Sequence, residues 1–312
     1  MNNEKEIIPV FFASDKNYVP YLTVAIKSLV DRTTANNEYR IYILSADLIY
    51  EDIAEIKSYE KDNVKIEIVD VNEKIASIRE KVALRDYYSV SIYFRLFIPS
   101  MFPQYDKVIY ADSDIVLNSD IADLYKNDIE NNYLGAILDE VVYTNQDFIY
   151  YVKNALDVDE TQYFNSGVLI MNLKKFRENE IEDDFYRWVN TYQFGSVAPD
   201  QDYLNCICKN SVKYLPKGWN KMPTGENLSD DKIYLIHYNM FMKPWKYDGL
   251  MYENYFWDTA KQTSFYAKLK NQQQAYTKEQ KDKDSLALKN LLKMAVDIAN
   301  SSNNYKKVVL KK

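Results

Sequence analysis

The first 111 residues alternate between runs of apolar residues and segments whose apolar residues recur at helical spacing. Ile7–Phe12 is a continuous apolar run, as expected for a strand buried on both faces of a parallel sheet. Tyr18–Val30 carries apolar residues at a period typical of a helix. The alternation continues with strands at Tyr39–Leu44, Val64–Val69 and Lys107–Ala111 and helices at Tyr50–Glu60 and Ser89–Ile98, the last ending at Pro99. This order predicts an α/β fold, a mainly parallel sheet with helices on both faces.

The pattern is less regular in the second half of the chain. Strands are predicted at Tyr133–Leu138, Gly167–Met171 and Ile233–Tyr238, and helices at Phe185–Tyr192 and Gln201–Lys209. After Lys270 the composition shifts to Gln, Lys and Asp, and a short amphipathic helix, Leu286–Ala299, leads into a lysine-bearing tail. The sequence therefore predicts one large domain, residues 1–260, followed by a helical extension, residues 261–312.

Composition narrows the choice of function. The net charge of −7 argues against a general nucleic-acid binder. Cys206 and Cys208, the two cysteines, are two positions apart, which favours a reduced thiol pair over a disulfide. No run reaches the roughly 18 apolar residues that a membrane span requires, and no signal-peptide pattern opens the chain. We therefore expect a cytoplasmic protein.

An acidic pair follows a predicted buried strand. Asp112-Ser113-Asp114 comes directly after Lys107–Ala111, and ligands of such sheets bind beyond the carboxyl ends of the strands. Residues i and i+2 of an extended segment point the same way, so the two carboxylates can converge on one cation. A cation there can bridge a diphosphate and neutralise the charge that develops as it departs. Taken alone, such a pair is more often part of a turn or a helix cap than of a metal site.

His237, the single histidine, lies in a predicted strand, where a histidine is more often a satisfied core residue than a ligand. Two carboxylates with one imidazole suit Mn²⁺ better than Mg²⁺, which prefers oxygen ligands. Lys243 follows within a few residues and is a candidate partner for diphosphate oxygens. Pro199-Asp200-Gln201-Asp202 opens a predicted helix, where spacing alone favours a helix cap.

In combination, from about Val10 to Trp245, these motifs resemble glycosyltransferase family 8, which includes bacterial lipooligosaccharide galactosyl- and glucosyltransferases and glycogenin. The resemblance implies a GT-A type fold and a retaining transferase that moves a hexose from a UDP-sugar to a carbohydrate-bearing acceptor. It implies Mn²⁺ as the cofactor, with Mg²⁺ as the alternative ion.

The resemblance also assigns roles to individual residues. FFASDKNYVPYLTVAIKSL resembles the nucleotide-binding start and SIYFRLFIP the helix that carries a donor-side arginine; KVIYADSDIVL and IHYNMFMKPW resemble the segments that supply the metal ligands and the phosphate lysine. YFNSGVLIMNL resembles the segment with the sugar-contacting asparagine, and PDQDYLN the one that lines the β-face of the sugar. The implied metal ligands are Asp112, Asp114 and His237. The implied donor-binding residues are Ala13, Asp15, Asn17, Tyr18, Arg95, Asp112, Ser113, Asn165 and Lys243. The implied catalytic residues are Gln201, Asp200 and Asp139, the last on the acceptor or sugar side.

The resemblance also bears on the mechanism, and the sequence departs from the family at one position. Because the amide of Gln201 occupies the position of a possible nucleophile, we favour attack of the acceptor on the face that UDP leaves; a double displacement through Asp200 or Asp202 stays open. Some relatives carry a glycine between the histidine and the lysine, but residues 238–242 contain none. We therefore expect the phosphate segment to follow a different path here.

Two alternative functions and two interpretations of the tail stay open. The chain could be a glycogenin-like self-glucosylating protein or a catalytically silent nucleotide-sugar binder. Residues 281–312 hold eight Lys against three Asp. The tail could pack on the domain, or it could attach weakly to an anionic membrane surface, with Val308-Val309-Leu310 inserted between lysines. The second interpretation would place the protein peripherally at the inner face of the cell membrane.

Overall fold

The computed structural model describes residues 5–81 and 93–312, which form a seven-stranded sheet and a two-stranded sheet. The order of the large sheet is β3-β2-β1-β4-β7-β6-β8, and β5 pairs with β9 in the small one. The strands are β1 (Glu6–Ala13), β2 (Asn37–Ser45), β3 (Val64–Asp70), β4 (Lys107–Ala111), β5 (Ile115–Leu117), β6 (Leu134–Leu138), β7 (Phe164–Asn172), β8 (Val212–Tyr214) and β9 (Leu235–His237).

Parallel pairing dominates the large sheet. β3, β2, β1 and β4 run parallel to one another, β7 is antiparallel to both β4 and β6, and β6 is parallel to β8. The predicted α/β fold with a mixed, mainly parallel sheet is confirmed. Every residue of β7 is buried, which explains why the strand has no alternation of apolar and polar residues.

The helices cover both faces of this sheet. They are α1 (Val19–Arg32), α2 (Tyr50–Lys57), α3 (Asn72–Lys81), α4 (Phe94–Met101), α5 (Ile121–Tyr125), α6 (Glu140–Thr144), α7 (Gln146–Ala155), α8 (Leu173–Glu178), α9 (Ile181–Thr191), α10 (Pro199–Ile207), α11 (Glu253–Ala260), α12 (Tyr266–Ala275), α13 (Lys278–Asn300) and α14 (Tyr305–Val308). One apolar cluster packs α1 and α2 on one face, and another packs α4, α7, α9 and α10 on the other.

Three boundaries differ from the prediction in ways that matter for the site. β7 begins at Phe164, three residues before the predicted Gly167, so Asn165 and Ser166 belong to the strand. α10 begins at Pro199, which fits the first turn of a helix because that turn needs no hydrogen bond from its N–H groups. α4 continues past Pro99 to Met101, since its buried apolar side chains offset the one lost hydrogen bond; residues 89–92 of the predicted helix lie outside the described residues.

The C-terminal extension is anchored to the rest of the chain. α13 is longer than predicted because a capping box between Thr277 and Gln280 starts it at Lys278. Its Ala295 and Ala299 are buried in the cluster that contains α7, and Val308-Val309-Leu310 is half-buried against the same cluster. The tail thus packs on the domain, as the first interpretation expects, and this packing gives the predicted membrane contact no support.

Two further observations concern the cysteines and the membrane. Cys206 and Cys208 are both free and buried, as the sequence predicts. Within residues 5–81 and 93–312, no helix combines the length and the apolar character needed to cross a bilayer.

Candidate functional site

Three strands bring the predicted metal ligands together at the carboxyl end of β4. The N–H of Asp112 donates to the carbonyl of Gly167 on β7 (2.8 Å), and the N–H of Tyr238, after β9, donates to the carbonyl of Asp114 (2.9 Å). One ligand atom from each of Asp112, Asp114 and His237 lies within 4.8 Å of the other two. The backbone pairing therefore fixes the cluster.

The ligand atoms have the spacing that a divalent cation requires. His237 Nε2 lies 3.2 Å from Asp114 Oδ1 and 3.7 Å from Asp112 Oδ2. Adjacent ligands of an octahedral ion at about 2.1 Å lie about 3 Å apart. Asp114 Oδ1 is buried and has no hydrogen-bond partner. A buried carboxylate oxygen without a donor is costly, so the residues present fit a bound cation.

Lys243 completes the cluster by pairing with the second oxygen of Asp114. Burial alone would raise the pKa of Asp114, but Lys243 and His237 outweigh it and lower the pKa below its usual range. The carboxylate is therefore ionised at neutral pH and can act as a ligand.

Arg95, on α4, links the predicted metal ligands to the residues that are predicted to contact the sugar. Its guanidinium donates to Asp112 Oδ1 (3.0 Å), to the Ser166 carbonyl (2.5 Å) and to Ser166 Oγ (2.9 Å), and it lies 3.4 Å from Asp200. Burial opposes its charge, yet the neighbouring carboxylates raise its pKa above the usual value. Arg95 thus holds two segments of the site in register as a permanent cation.

A register shift in the sheet frees backbone N–H groups of β7 to pair with residues that are predicted to contact the sugar. Ala136 of β6 pairs with Leu169, but the next residue, Ile137, pairs with Asn165. The intervening β7 residues leave the β6 ladder, and their N–H groups turn to side chains. Ser166 N–H donates to Gln201 Oε1 (2.9 Å), and Gly167 N–H donates to Asn165 Oδ1 (2.9 Å).

These contacts lock a network of buried amides and one carboxylate. Asn165 Nδ2 donates to Asp139 Oδ2 (3.0 Å) and to Gln201 Oε1 (3.1 Å). Gln201 Nε2 donates to Asp139 Oδ2 (3.1 Å) and to the Tyr163 hydroxyl (3.1 Å). The other oxygen of Asp139 caps α6 through the N–H groups of Val141 and Val142. The orientation of each side chain is therefore set before any ligand binds.

The two carboxylates of α10, Asp200 and Asp202, have different surroundings. Burial raises the pKa of Asp200, whose oxygen accepts a hydrogen bond from Ser166 Oγ (3.0 Å) and faces Arg95. Asp202 is fully buried, and burial likewise raises its pKa. It accepts hydrogen bonds from three hydroxyl groups and two backbone N–H groups, those of Tyr151, Tyr163, Ser196, Val197 and Ala198. Asp202 therefore stabilises the N-terminal end of α10 through these hydrogen bonds, and it has no free oxygen for a nucleophilic role.

A cavity of about 310 Å³ opens beside these residues. It is lined by Arg95, Asp112, Asp114, Asp139, Asn165, Asp200, Gln201 and His237 from the predicted set. Apolar side chains also line the cavity, including Phe148 and Val152 of α7, Met240, and Leu291 of α13. Hydrolytic or transfer chemistry at the polar wall would therefore be partly shielded from water.

The predicted nucleotide-side residues lie outside the lining of that cavity. Asp15 Oδ1 accepts hydrogen bonds from the N–H groups of Asn17 and Tyr18 (2.7 and 3.2 Å), which shapes the turn between β1 and α1. Ser113 Oγ donates to the carbonyl of Ala13 (2.9 Å). Burial, followed by Asp114 and Asp112, raises the pKa of Tyr18, so its hydroxyl stays protonated near the metal ligands.

The segment that carries Lys243 is held by aromatic stacking and by the C-terminal extension. Trp245 stacks on Tyr21 of α1 with ring centroids 3.9 Å apart. Gln273 of α12 donates to the carbonyls of Pro244 and Tyr247 (both 2.8 Å), and Asp284 of α13 accepts from the Tyr247 hydroxyl (3.0 Å).

The loop between His237 and Lys243 adopts a turn that usually favours glycine. Met240 has a φ of 50°, in the left-handed region, where a side chain costs about 1 kcal/mol or more. The chain thus adopts a left-handed turn here without a glycine, and the Met240 side chain lines the cavity.

Several residues of the site were not singled out from the sequence, among them Ser166, Gly167, Asn220 and Lys221. Ser166 and Gly167 lie inside the quoted motif YFNSGVLIMNL, directly after Asn165. That position in the motif could have identified them as site residues. Asn220 and Lys221 lie in a segment without any recognisable motif, and only the pairing of that segment with β9 brings them to the site.

A family model, curated proteins and a solved structure that are similar to this chain all carry glycosyltransferase names. The family model described as Glycosyl transferase family 8 matches residues 9–249. A putative glycosyltransferase of Haemophilus influenzae is 31% identical over 72% of this chain and 66% of its own length. The lipopolysaccharide 1,2-glucosyltransferase of Escherichia coli K12 is 26% identical over 78% of this chain and 74% of its own. The solved galactosyltransferase LgtC, in complex with donor and acceptor sugar analogues, is 26% identical with a TM-score of 0.63, over 82% of this chain and 96% of that one.

Proposed function

The chain belongs to glycosyltransferase family 8, and from this premise we propose that it transfers a hexose from a UDP-sugar to a carbohydrate-bearing acceptor, with a divalent metal and with retention of configuration. The observation that carries the proposal is the convergence of Asp112, Asp114 and His237 beside Lys243, at the edge of a cavity lined by Asn165 and Gln201. LgtC supports a nucleotide-sugar donor, since it is similar over most of its length and was solved with donor and acceptor sugar analogues.

The charge of the site supports a metal. Among the residues that the structure describes, four carboxylates, those of Asp112, Asp114, Asp139 and Asp200, face two cations, Arg95 and Lys243. A diphosphate would add further negative charge, which is unfavourable unless a cation compensates. Asp112, Asp114 and His237 would hold that cation, and Mn²⁺ suits one imidazole with two carboxylates better than Mg²⁺ does. When bound, the cation neutralises the charge that develops on the departing diphosphate.

The remaining residues would bind and orient the donor. Lys243 supplies a second positive charge for the phosphates. Asp15, Asn17 and Tyr18, on the turn after β1, would contact the uracil and ribose. Asn165, Asp139 and Asp200 would contact the hexose, which places its anomeric carbon near Gln201.

We favour attack of the acceptor on the face that UDP leaves. The bond between the anomeric carbon and the β-phosphate oxygen breaks with its electron pair on that oxygen, and the acceptor oxygen forms the new bond on the same face. The proton of the acceptor hydroxyl passes to the departing oxygen. Gln201 Oε1, fixed by Ser166 N–H, would stabilise the positive charge on the anomeric carbon without bonding to it.

The test is a screen of UDP-glucose, UDP-galactose and other UDP-hexoses for Mn²⁺-dependent UDP release in water. We expect release with one hexose and loss of it when EDTA replaces Mn²⁺. Thermal stabilisation by a UDP-hexose without any UDP release would instead favour the silent nucleotide-sugar binder. Transfer of hexose to the protein's own tyrosines, detected by intact-mass measurement, would favour the self-glucosylating alternative.

A further inference from the structure

Asn220 bridges the sugar side and the metal side of the site. It is fully buried, and both ends of its amide are engaged. Its Nδ2 donates to Asn165 Oδ1 (2.9 Å), and its Oδ1 lies 2.9 Å from His237 Nδ1. Asn220 therefore contacts one residue of the proposed sugar site and one proposed metal ligand.

The orientation of this amide follows from a fixed backbone donor. Gly167 N–H can only donate, so the atom of Asn165 that faces it is the oxygen. The NH₂ group of Asn165 then faces Asp139 Oδ2, which suits a carboxylate acceptor. Since Asn165 Oδ1 can only accept, the group of Asn220 that faces it must be its NH₂. The oxygen of Asn220 is left facing His237 Nδ1, and that nitrogen must carry a proton.

Asp114 and Asn220 favour different tautomers of His237. Asp114 Oδ1, 3.2 Å from His237 Nε2, would accept a proton-bearing Nε2 as a hydrogen-bond donor. A proton on Nε2 would block the lone pair that a metal needs. The Asn220 oxygen favours the other tautomer, in which Nδ1 is protonated and Nε2 is free.

The backbone holds Asn220 in position for this task. The next residue, Lys221, runs beside β9: its N–H donates to the Leu235 carbonyl, and its carbonyl accepts from the His237 N–H (both 2.9 Å). The Lys221 ammonium is fully buried and pairs with Glu140 at 2.5 Å. Glu140 follows Asp139 directly in the chain. Asn220 and His237 are thus on adjacent, paired backbone segments, so their side chains cannot separate independently.

We propose that Asn220 is a positioning residue that holds His237 in the tautomer with Nδ1 protonated and thereby prepares Nε2 to bind the divalent cation. The inference rests on the proposed metal-dependent function and adds a residue that acts through His237. Partners of this kind typically change metal affinity by about 10–100-fold when they are removed.

Because His237 is the only histidine, labelling with ¹⁵N-histidine gives one imidazole in the NMR spectrum of the metal-free protein. In the spectrum of the neutral imidazole, we expect the proton on Nδ1 in the wild type. In Asn220→Ala we expect it on Nε2, with Mn²⁺ affinity, measured by calorimetry, reduced about 10–100-fold. Asn220→Asp keeps an acceptor towards His237 and should keep the wild-type tautomer.

Asn172→Ala is the matched control, because Asn172 is a buried asparagine of β7 that contacts none of these residues. It should leave both the tautomer and the Mn²⁺ affinity unchanged. A wild-type proton on Nε2, or an Asn220→Ala variant with unchanged tautomer and affinity, overturns the proposal. If Asn220→Ala does not fold, the wild-type spectrum and Asn220→Asp still decide. A wild type with the expected tautomer but no Mn²⁺ binding would contradict the proposed function alone.

Discussion

Replacing Gly167 by alanine should disable the metal site while the fold survives. A Cβ at this position would lie 2.3 Å from His237 Cε1 and 2.7 Å from Asp112 Oδ2. Ordinary contacts between such atoms are about 3.5 Å or longer, so the imidazole and the carboxylate must each move by about 1 Å. The φ of Gly167 is not in the left-handed region, so the backbone itself accepts alanine.

The size of the effect follows from that displacement. A misplacement of about 1 Å typically costs about 100-fold in a positioned site. Wild-type protein in Mn²⁺ at 100 times the dissociation constant gains about 2.7 kcal/mol of stability from binding. A 100-fold weaker variant at the same concentration gains only about 0.4 kcal/mol. Without metal, the methyl group typically adds an overpacking cost of about 1–3 kcal/mol.

The assay compares thermal unfolding with and without Mn²⁺, together with direct calorimetric titration. Gly135→Ala on β6 is the matched control, because its Cβ would meet only side-chain carbons, at 3.1–3.3 Å, away from the metal ligands. Both variants should fold, and only Gly167→Ala should lose the Mn²⁺-dependent rise in Tm. Wild-type Mn²⁺ affinity in Gly167→Ala would refute the placement of the metal at this cluster.

Three further predictions address other parts of the molecule. Asp112→Asn or Asp114→Asn should abolish Mn²⁺-dependent UDP release with near-UV circular dichroism unchanged; near wild-type turnover at saturating Mn²⁺ would contradict the ligand assignment. Gln201→Ala should lower kcat by about 10²–10³-fold, as removal of one stabilising group does, without eliminating turnover; a glycosyl adduct on Asp200 found by mass spectrometry would instead establish double displacement. Burial opposes the ionisation of Asp157, but Lys312, Lys209 and Lys306 outweigh it and lower its pKa to about 2. Its contribution is therefore complete above the unfolded pKa of about 3.9 and is lost as the pH falls through 2, so Asp157→Asn should cost about 1 kcal/mol at pH 7 and only a small fraction of that near pH 2. Urea unfolding at the two pH values checks this, and an equal difference at both would contradict it.

The parts of the fold that the sequence predicted are those whose hydrophobic pattern is complete in itself. β1 and β4 are continuous apolar runs, and their bounds were predicted to within one residue. α13 was predicted too short, because residues 278–285 are polar on all sides and only the capping box marks their start. β5 and β8 have three residues each, too few to show a period.

The site was predictable where a residue belongs to a compact motif and unpredictable where it depends on pairing between distant segments. Asp112 and Asp114 are two residues apart, and their convergence follows from strand geometry alone. Asn220 reaches His237 only because its segment pairs with β9, which no local pattern records. The spacing of α10 favoured a helix cap, which describes Asp202 but not Gln201, whose side chain lines the cavity.

The bracing of the Lys243 segment by Gln273 and Asp284 sets an order of assembly during synthesis. Every strand of both sheets precedes residue 240, whereas these two braces belong to residues 261–312. At about 5–20 residues per second, a ribosome needs about 3–10 s to add those residues. A nascent chain can therefore pair its strands and gather the proposed metal ligands while Lys243, the proposed diphosphate lysine, is still unbraced. Catalytic competence would be acquired last, after the rest of the domain has had time to fold.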